Sequence, residues 1–154
     1  MKSNSIINKK VSVISNGKKI ILSVAGMTTI GGFLFDWNKT HLFNPKWTPH
    51  AKFHDAMTIS LASMLGLSSI SLLQKKDGNS IFNLKIGTLL PAYFWASMII
   101  AFAFPNAKGL EAEFPKKVPR IGKIWLNEGI AGTLFLTLLG IGYLLERSNQ
   151  MKKE

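Results

Sequence analysis

Hydrophobic and polar residues are sharply separated along this chain. Four runs, residues 20–35, 56–74, 86–104 and 129–145, contain no Asp, Glu, Lys, Arg or His. A helix that crosses a membrane needs about 20 mainly apolar residues, with about 17 as the lower end. The two middle runs reach that length alone, the outer two reach it with their flanks, and neither middle run shows the polar face of a soluble bundle. The pattern therefore predicts an all-α fold, an integral membrane four-helix bundle.

Capping and helix-breaking residues set the limits of the predicted helices. We expect spans over about residues 18–37, 49–74, 84–104 and 124–145, preceded by a polar tail over residues 1–17. Thr48 is a suitable N-cap, and Pro49 suits the first helical position of the second span. Pro91 predicts a kink in the third span, and Pro105 predicts its end. The sequence thus indicates a single transmembrane domain over residues 1–154.

The chain is strongly basic and lacks cysteine. Its formal net charge is +11, but the lysines flank the apolar runs, where they can extend towards anionic lipid headgroups. We therefore expect membrane lipid as a partner and no nucleic acid. The absence of cysteine excludes disulfides, thiol redox chemistry and thiolate metal ligands.

The distribution of basic residues predicts an orientation. Four spans place both termini on one face, which carries eleven of the 19 Lys and Arg residues, and the other face carries eight. The positive-inside rule then favours cytoplasmic termini in an inner or plasma membrane.

Most of the residues capable of chemistry lie on the other face. The first and third connections and the adjoining span ends contribute His41, His50, His54, Asp36, Asp55, Glu111, Glu113 and Glu128. These include every histidine of the chain. The sequence therefore predicts a polar site at one membrane interface.

One hypothesis for this site is a divalent metal, Zn or Fe. His50 and His54 are four residues apart and share a helical face, as paired histidine ligands do. His41 and Glu128 would complete the ligand set, and neutral imidazole with carboxylate suits these metals better than Ca or Mg. The residues expected to support the ligands are Asp36, Asn38 and Asn44, together with Asp55.

A second hypothesis needs no metal. A histidine beside a partly desolvated carboxylate can reach a pKa near neutrality and transfer protons to or from a lipid or another apolar small molecule. The catalytic residues would then be His41, Asp55 and Glu128. Both hypotheses describe an enzyme acting on an apolar small-molecule substrate.

Other functions stay open at this point. The histidine motif could belong to a non-catalytic structural or ligand-binding protein, in which it only stabilises the first loop. A transporter is disfavoured because no ionisable residue lies near the middle of a span. The Gly- and Ser-rich stretches of the first two spans could pack within one chain or between the copies of a homo-oligomer. Three histidines are too few for a membrane di-iron hydroxylase.

The segment "DWNKTHLFNPKWTPHAKFH" carries a resemblance to a known family. It resembles the signature D-W-N-x-T-H-x-F-N-P-x-W-x-P-H-x-x-F-H of a family of small four-span membrane proteins classed as a domain of unknown function. The matching residues are Asp36, Trp37, Asn38, Thr40, His41, Phe43, Asn44, Pro45, Trp47, Pro49, His50, Phe53 and His54. The resemblance implies a four-span fold and brings no activity with it. A looser likeness to DoxX-type membrane proteins rests on architecture alone.

Overall fold

Four long helices form the protein. The computed structural model describes residues 14–75 and 78–152. The helices are α1 (Asn16–Phe35), α2 (Pro49–Gln74), α3 (Ser80–Ala101) and α4 (Glu128–Met151). A 3₁₀ turn (Leu110–Ala112) and an antiparallel pair of two-residue strands, β1 (Arg120–Ile121) and β2 (Ile124–Trp125), lie between α3 and α4. The predicted all-α, four-helix architecture is confirmed, and most of the predicted N-terminal tail lies outside the described residues.

Each helix begins at a residue whose side chain accepts a hydrogen bond from the first turn. The four N-caps are Ser15, Thr48, Asn79 and Asn127. Such side chains satisfy backbone N–H groups that have no partner within the helix. The start of the fourth helix differs from the predicted start at residue 124. The fourth helix begins after Asn127 because the preceding apolar residues, Ile124 and Trp125, pair with β1 instead.

The helices are arranged as an antiparallel bundle. α1 packs against α2 and α4, and α3 packs against the same two helices. The start of α1 lies beside the end of α4, where the Ser15 hydroxyl donates a hydrogen bond to the Glu146 carboxylate. The connections α1–α2 and α3–α4 therefore lie together at the opposite end.

One hydrogen bond joins the two diagonally opposed helices through the centre of the bundle. The Trp95 indole Nε1–H donates to Thr28 Oγ1 at 2.9 Å, and both side chains are buried. The Trp95 ring also packs against Phe135, with ring centroids 4.1 Å apart. Leaving a buried indole N–H without a partner costs free energy. The hydrogen bond therefore fixes the Trp95 side chain of α3 between α1 and α4.

The outer surface of the bundle is apolar. Phe33, Leu34, Met64 and Leu144 are each more than half exposed, and all four helices are long and apolar enough to cross a membrane. A water-soluble bundle would bury such side chains on one stripe of each helix. The arrangement is that of an integral membrane protein.

Gly66 should be essential for the packing of α1 on α2. A Cβ at this position would lie within 3.0 Å of the α1 backbone atoms Ala25 O and Thr29 N. Overpacking of this kind costs about 1–3 kcal/mol. We expect Gly66→Ala to lower the free energy of unfolding by that amount, measured by thermal unfolding in detergent.

The matched control is Gly26→Ala. A Cβ on Gly26 would meet nothing within 4 Å, and alanine favours a helix over glycine by up to about 1 kcal/mol. This variant should be as stable as the wild type or more so. Equal destabilisation by the two changes would contradict the close α1–α2 contact.

Candidate functional site

The connection between α1 and α2 is wound into consecutive hydrogen-bonded turns. The carbonyl of Asp36 accepts from the backbone N–H groups of Asn38 and Leu42, at 2.8 and 3.1 Å. Further along, Phe43 N donates to Asn38 O at 2.9 Å, and Asn44 N donates to His41 O at 2.8 Å. The backbone of this segment therefore has a defined path at the end of the bundle.

Two asparagine side chains stabilise these turns. Asn38 Oδ1 accepts from the backbone N–H of Thr40 at 2.7 Å and from its hydroxyl at 2.5 Å. Asn44 Nδ2 donates to Thr40 O at 3.2 Å, and Asn44 Oδ1 accepts from Lys46 N at 3.0 Å. Thr40 and Asn44 are only 5% and 2% exposed. Both asparagines, predicted as supporting residues, thus act on the loop that carries His41.

The His41 ring has a polar neighbour beside each of its two nitrogens. Nδ1 lies 2.9 Å from Thr40 Oγ1, and Nε2 lies 3.7 Å from Asp36 Oδ1. The edge of the ring meets Trp47, with centroids 5.7 Å apart. The His41 and Asp36 side chains are 20% and 27% exposed. These contacts bring together two of the predicted site residues.

The hydrogen bonds also determine the tautomer of His41. The single hydroxyl proton of Thr40 is donated to Asn38 Oδ1, which is the acceptor atom because it also takes the Thr40 N–H. Thr40 Oγ1 can then only accept from His41, so the neutral imidazole carries its proton on Nδ1. The Nε2 lone pair consequently faces the Asp36 carboxyl group.

The environment of Asp36 favours its protonated form. Burial is the main cause that raises the pKa of this carboxyl from its ordinary value of 3.8 to about 6, and the charges of Asp55 and Glu128 raise it further, while His41 lowers it. A carboxyl with a pKa of about 6 is present in both charge states near neutral pH. The charges of His41, Asp55 and Glu128 thus all influence the pKa of the Asp36 carboxyl group.

The carboxylates of Asp55 and Glu128, whose charges act on Asp36, differ in their hydrogen-bond partners. One carboxylate oxygen of Asp55, Oδ2, is buried and has no hydrogen-bond partner among the described residues. Glu128, at the first position of α4, accepts the Leu110 N–H with both oxygens, at 3.0 and 3.3 Å. Glu128 therefore ties the 3₁₀ turn to α4, besides contributing its charge.

Glu111, a polar residue of this face for which the sequence predicts no catalytic or ligand role, is a further carboxylate at this end of the bundle. Asn127 Nδ2 donates to its Oε1 at 2.9 Å, and its Oε2 is buried without a partner in the described part of the chain. A Cβ on Gly109 would lie within 3.0 Å of Oε2 of both Glu111 and Glu128. This clustering follows from the fold of the third connection, and no spacing in the sequence indicates it.

His50 and His54 form a separate pair. Their Nε2 atoms are 3.0 Å apart on the first turns of α2, and both side chains are exposed. No three His, Asp or Glu side chains are grouped for metal binding within residues 14–75 and 78–152. The four predicted ligands, His41, His50, His54 and Glu128, are thus not assembled around one point, and metal binding stays a prediction.

Two clefts open at the same end of the bundle. One, of about 140 Å³, is lined by Met98, Ala101, Phe102, Ala107, Lys108, Gly109 and Glu128. The other, of about 450 Å³, lies between the first and third connections and is lined by Lys39, Asn44, Pro45, Lys46, Glu113 and Phe114. The smaller cleft combines an apolar wall with the Glu128 carboxylate.

One protein family matches nearly the whole chain. The family DUF6640, described as a family of unknown function, matches residues 20–153. No curated protein and no solved structure matches the chain. The match agrees with the expected resemblance to an uncharacterised family and assigns no activity.

The raised pKa of Asp36 should make stability depend on pH. The folded protein binds a proton at Asp36 with a pKa of about 6, against 3.8 as the ordinary value, so the unfolded state binds fewer protons between these values. The Asp36 contribution is therefore complete below about pH 4 and is lost as pH rises through about 6. We expect the loss to be roughly 1–3 kcal/mol, measured by thermal unfolding in detergent from pH 4 to 8.

Asp36→Asn should remove this part of the pH dependence. Glu113→Gln, which neutralises an exposed carboxylate on the third connection, should leave it in place. An unchanged pH profile in Asp36→Asn would show that Asp36 titrates normally.

Proposed function

The chain belongs to the family DUF6640, whose function is unknown, and we propose that it is a membrane enzyme of acid/base chemistry. Its substrate would be a lipid or another apolar small molecule. The observation that carries this proposal is the pairing of His41 Nε2 with Asp36 Oδ1 at 3.7 Å, with His41 Nδ1 already engaged by Thr40.

The pairing leaves one proton to be distributed between two groups. It resides either on Asp36, facing a neutral imidazole, or on His41 Nε2, facing a carboxylate. The 3.7 Å separation is longer than a hydrogen bond, so neither state is locked by a direct bond. A pair of this kind suits general acid/base catalysis, which is most efficient when the pKa lies near the working pH.

The remaining carboxylates would adjust this pair. The negative charges of Asp55 and Glu128 raise the pKa of Asp36, which keeps the proton available near neutrality. In this proposal His41 and Asp36 exchange protons with the substrate. Asp55 contributes its buried, unpaired oxygen as a further proton acceptor, and Glu128 borders the cleft that receives the substrate.

The surroundings favour an apolar substrate. The cleft beside Glu128 is walled by Met98, Ala101, Phe102 and Ala107, and the adjacent helix surfaces are apolar and face the membrane. A lipid-soluble molecule can reach this end of the bundle from the membrane without crossing water. The simplest reaction for the pair is removal of a proton from a carbon atom of such a molecule and its return, at the same or another carbon.

Deuterium incorporation offers a direct test. Membranes containing the wild-type protein are incubated in D₂O, and the extracted lipids are compared by untargeted mass spectrometry with those from membranes without it. Because the abstracted proton exchanges with solvent at an accessible histidine, we expect a lipid-soluble species to gain deuterium. Asp36→Asn and His41→Gln should reduce the rate of that gain at least about 100-fold.

Glu113→Gln is the control, because Glu113 is exposed and has no role in the proposed chemistry. It should exchange at the wild-type rate. Identical lipid profiles for the wild type, Asp36→Asn and His41→Gln at equal protein levels would refute the enzymatic proposal.

A second candidate is a non-catalytic protein in which the motif only fixes the first loop. The hydrogen bonds of Asn38 and Asn44 favour it, since four of them end on backbone groups of the loop or its flanks. In this candidate the exposed His50 and His54 contribute little to stability, and the asparagines carry the structural role.

Asn44→Ala should measure how strongly the loop is fixed. The change removes two hydrogen bonds and leaves Thr40 O and Lys46 N without these partners, at a cost of about 1–3 kcal/mol. Thermal unfolding in detergent is the measurement. Asn149→Ala is the matched control, because the described residues provide no side-chain hydrogen bond for Asn149, and it should change stability by less than about 0.5 kcal/mol. Equal effects of the two changes would argue against a structural role for the motif.

A further inference from the structure

The two exposed histidines at the start of α2 have an unusual mutual geometry. Their Nε2 atoms lie 3.0 Å apart, and the ring centroids are 4.5 Å apart with the ring planes at 80°. The Phe53 ring stacks parallel to His50, at 4° and 6.1 Å, and meets His54 edge-on. These aromatic contacts orient both imidazoles in the convergent arrangement.

Two unprotonated nitrogens at this distance repel each other unless a proton or a cation lies between them. Either one ring donates an Nε2–H to the other, or a cation lies between the two nitrogens. A metal–imidazole bond measures about 2.0–2.1 Å. For an ion bound by both nitrogens at their observed spacing, the N–metal–N angle would be about 95°. This is close to the cis angle of octahedral or square-planar coordination, and a tetrahedral ion needs only a widening to about 3.3 Å.

We propose that His50 and His54 form a two-histidine chelating site for a divalent transition metal at the membrane interface, separate from the Asp36–His41 pair. Imidazole nitrogen suits Zn²⁺, Ni²⁺ and Cu²⁺. Both side chains are exposed, so an ion can reach the pair from solvent. The described residues provide no third ligand, which leaves the other coordination positions to water or to a ligand from outside.

His41 does not belong to this site. Its Nδ1 contacts Thr40, its Nε2 faces Asp36, and no group of three possible ligands joins it to the pair among the described residues. The metal site and the acid/base pair are therefore independent, and the loss of one does not imply the loss of the other.

The test uses Zn²⁺ and Cu²⁺ with the full chain in detergent, purified without a histidine tag. Titration calorimetry with Zn²⁺ should give about one ion per chain, because one pair is present. His50→Gln and His54→Gln should each weaken binding at least about tenfold, and His41→Gln should bind like the wild type. Bound Cu²⁺ should show two coordinating nitrogens in its electron paramagnetic resonance spectrum.

Both changed residues are exposed, so their replacement should leave thermal unfolding unaltered and the binding data interpretable. No Zn²⁺ binding by the wild type would overturn the proposal. So would wild-type affinity in His50→Gln and His54→Gln, or an equal loss in His41→Gln. Because these readouts need no lipid exchange, they fail or succeed independently of the proposed enzymatic function.

Discussion

The geometry of the candidate site depends on one constraint, the need to satisfy every backbone polar group where the chain turns at the membrane interface. Between α1 and α2 the backbone has no helix to pair with, and Thr40 and Asn44 are buried there. Asn38 and Asn44 supply the missing partners and bend the chain into successive turns. The position of His41 relative to Asp36 follows from those turns.

The hydrogen bonds of the loop and the pairing of His41 with Asp36 therefore depend on the same residues. The Thr40 hydroxyl donates to Asn38, which completes the turn, and for that reason it must accept from His41 Nδ1. The same hydrogen bond that stabilises the loop directs the Nε2 lone pair at Asp36. Asn38 thus positions the His41 ring through Thr40, and its backbone carbonyl also accepts from the His41 N–H at 3.3 Å.

The sequence was a good guide where the physics is local. Runs without charge predict the four helices, and Thr48 with Pro49 predicts the start of α2, because apolar length and capping act over a few residues. The fourth span is predicted from residue 124, but α4 begins at Glu128. Ile124 and Trp125 continue the apolar run, yet they form a strand that pairs with β1 across the turn at Gly122, which has a φ of +60°. Short apolar segments do not distinguish a strand from a helix.

The composition of the site depended on tertiary structure that spacing does not encode. His41, His50 and His54 lie within fourteen residues, and this proximity favours a shared metal ion. However, the turns at Asn38 and Asn44 direct His41 towards Asp36, while His50 and His54 lie exposed on the first turns of α2. One compact motif thus contains two distinct arrangements, the half-buried pairing of His41 with Asp36 and the exposed pair of His50 and His54. Their different exposure to solvent follows from the loop that separates them.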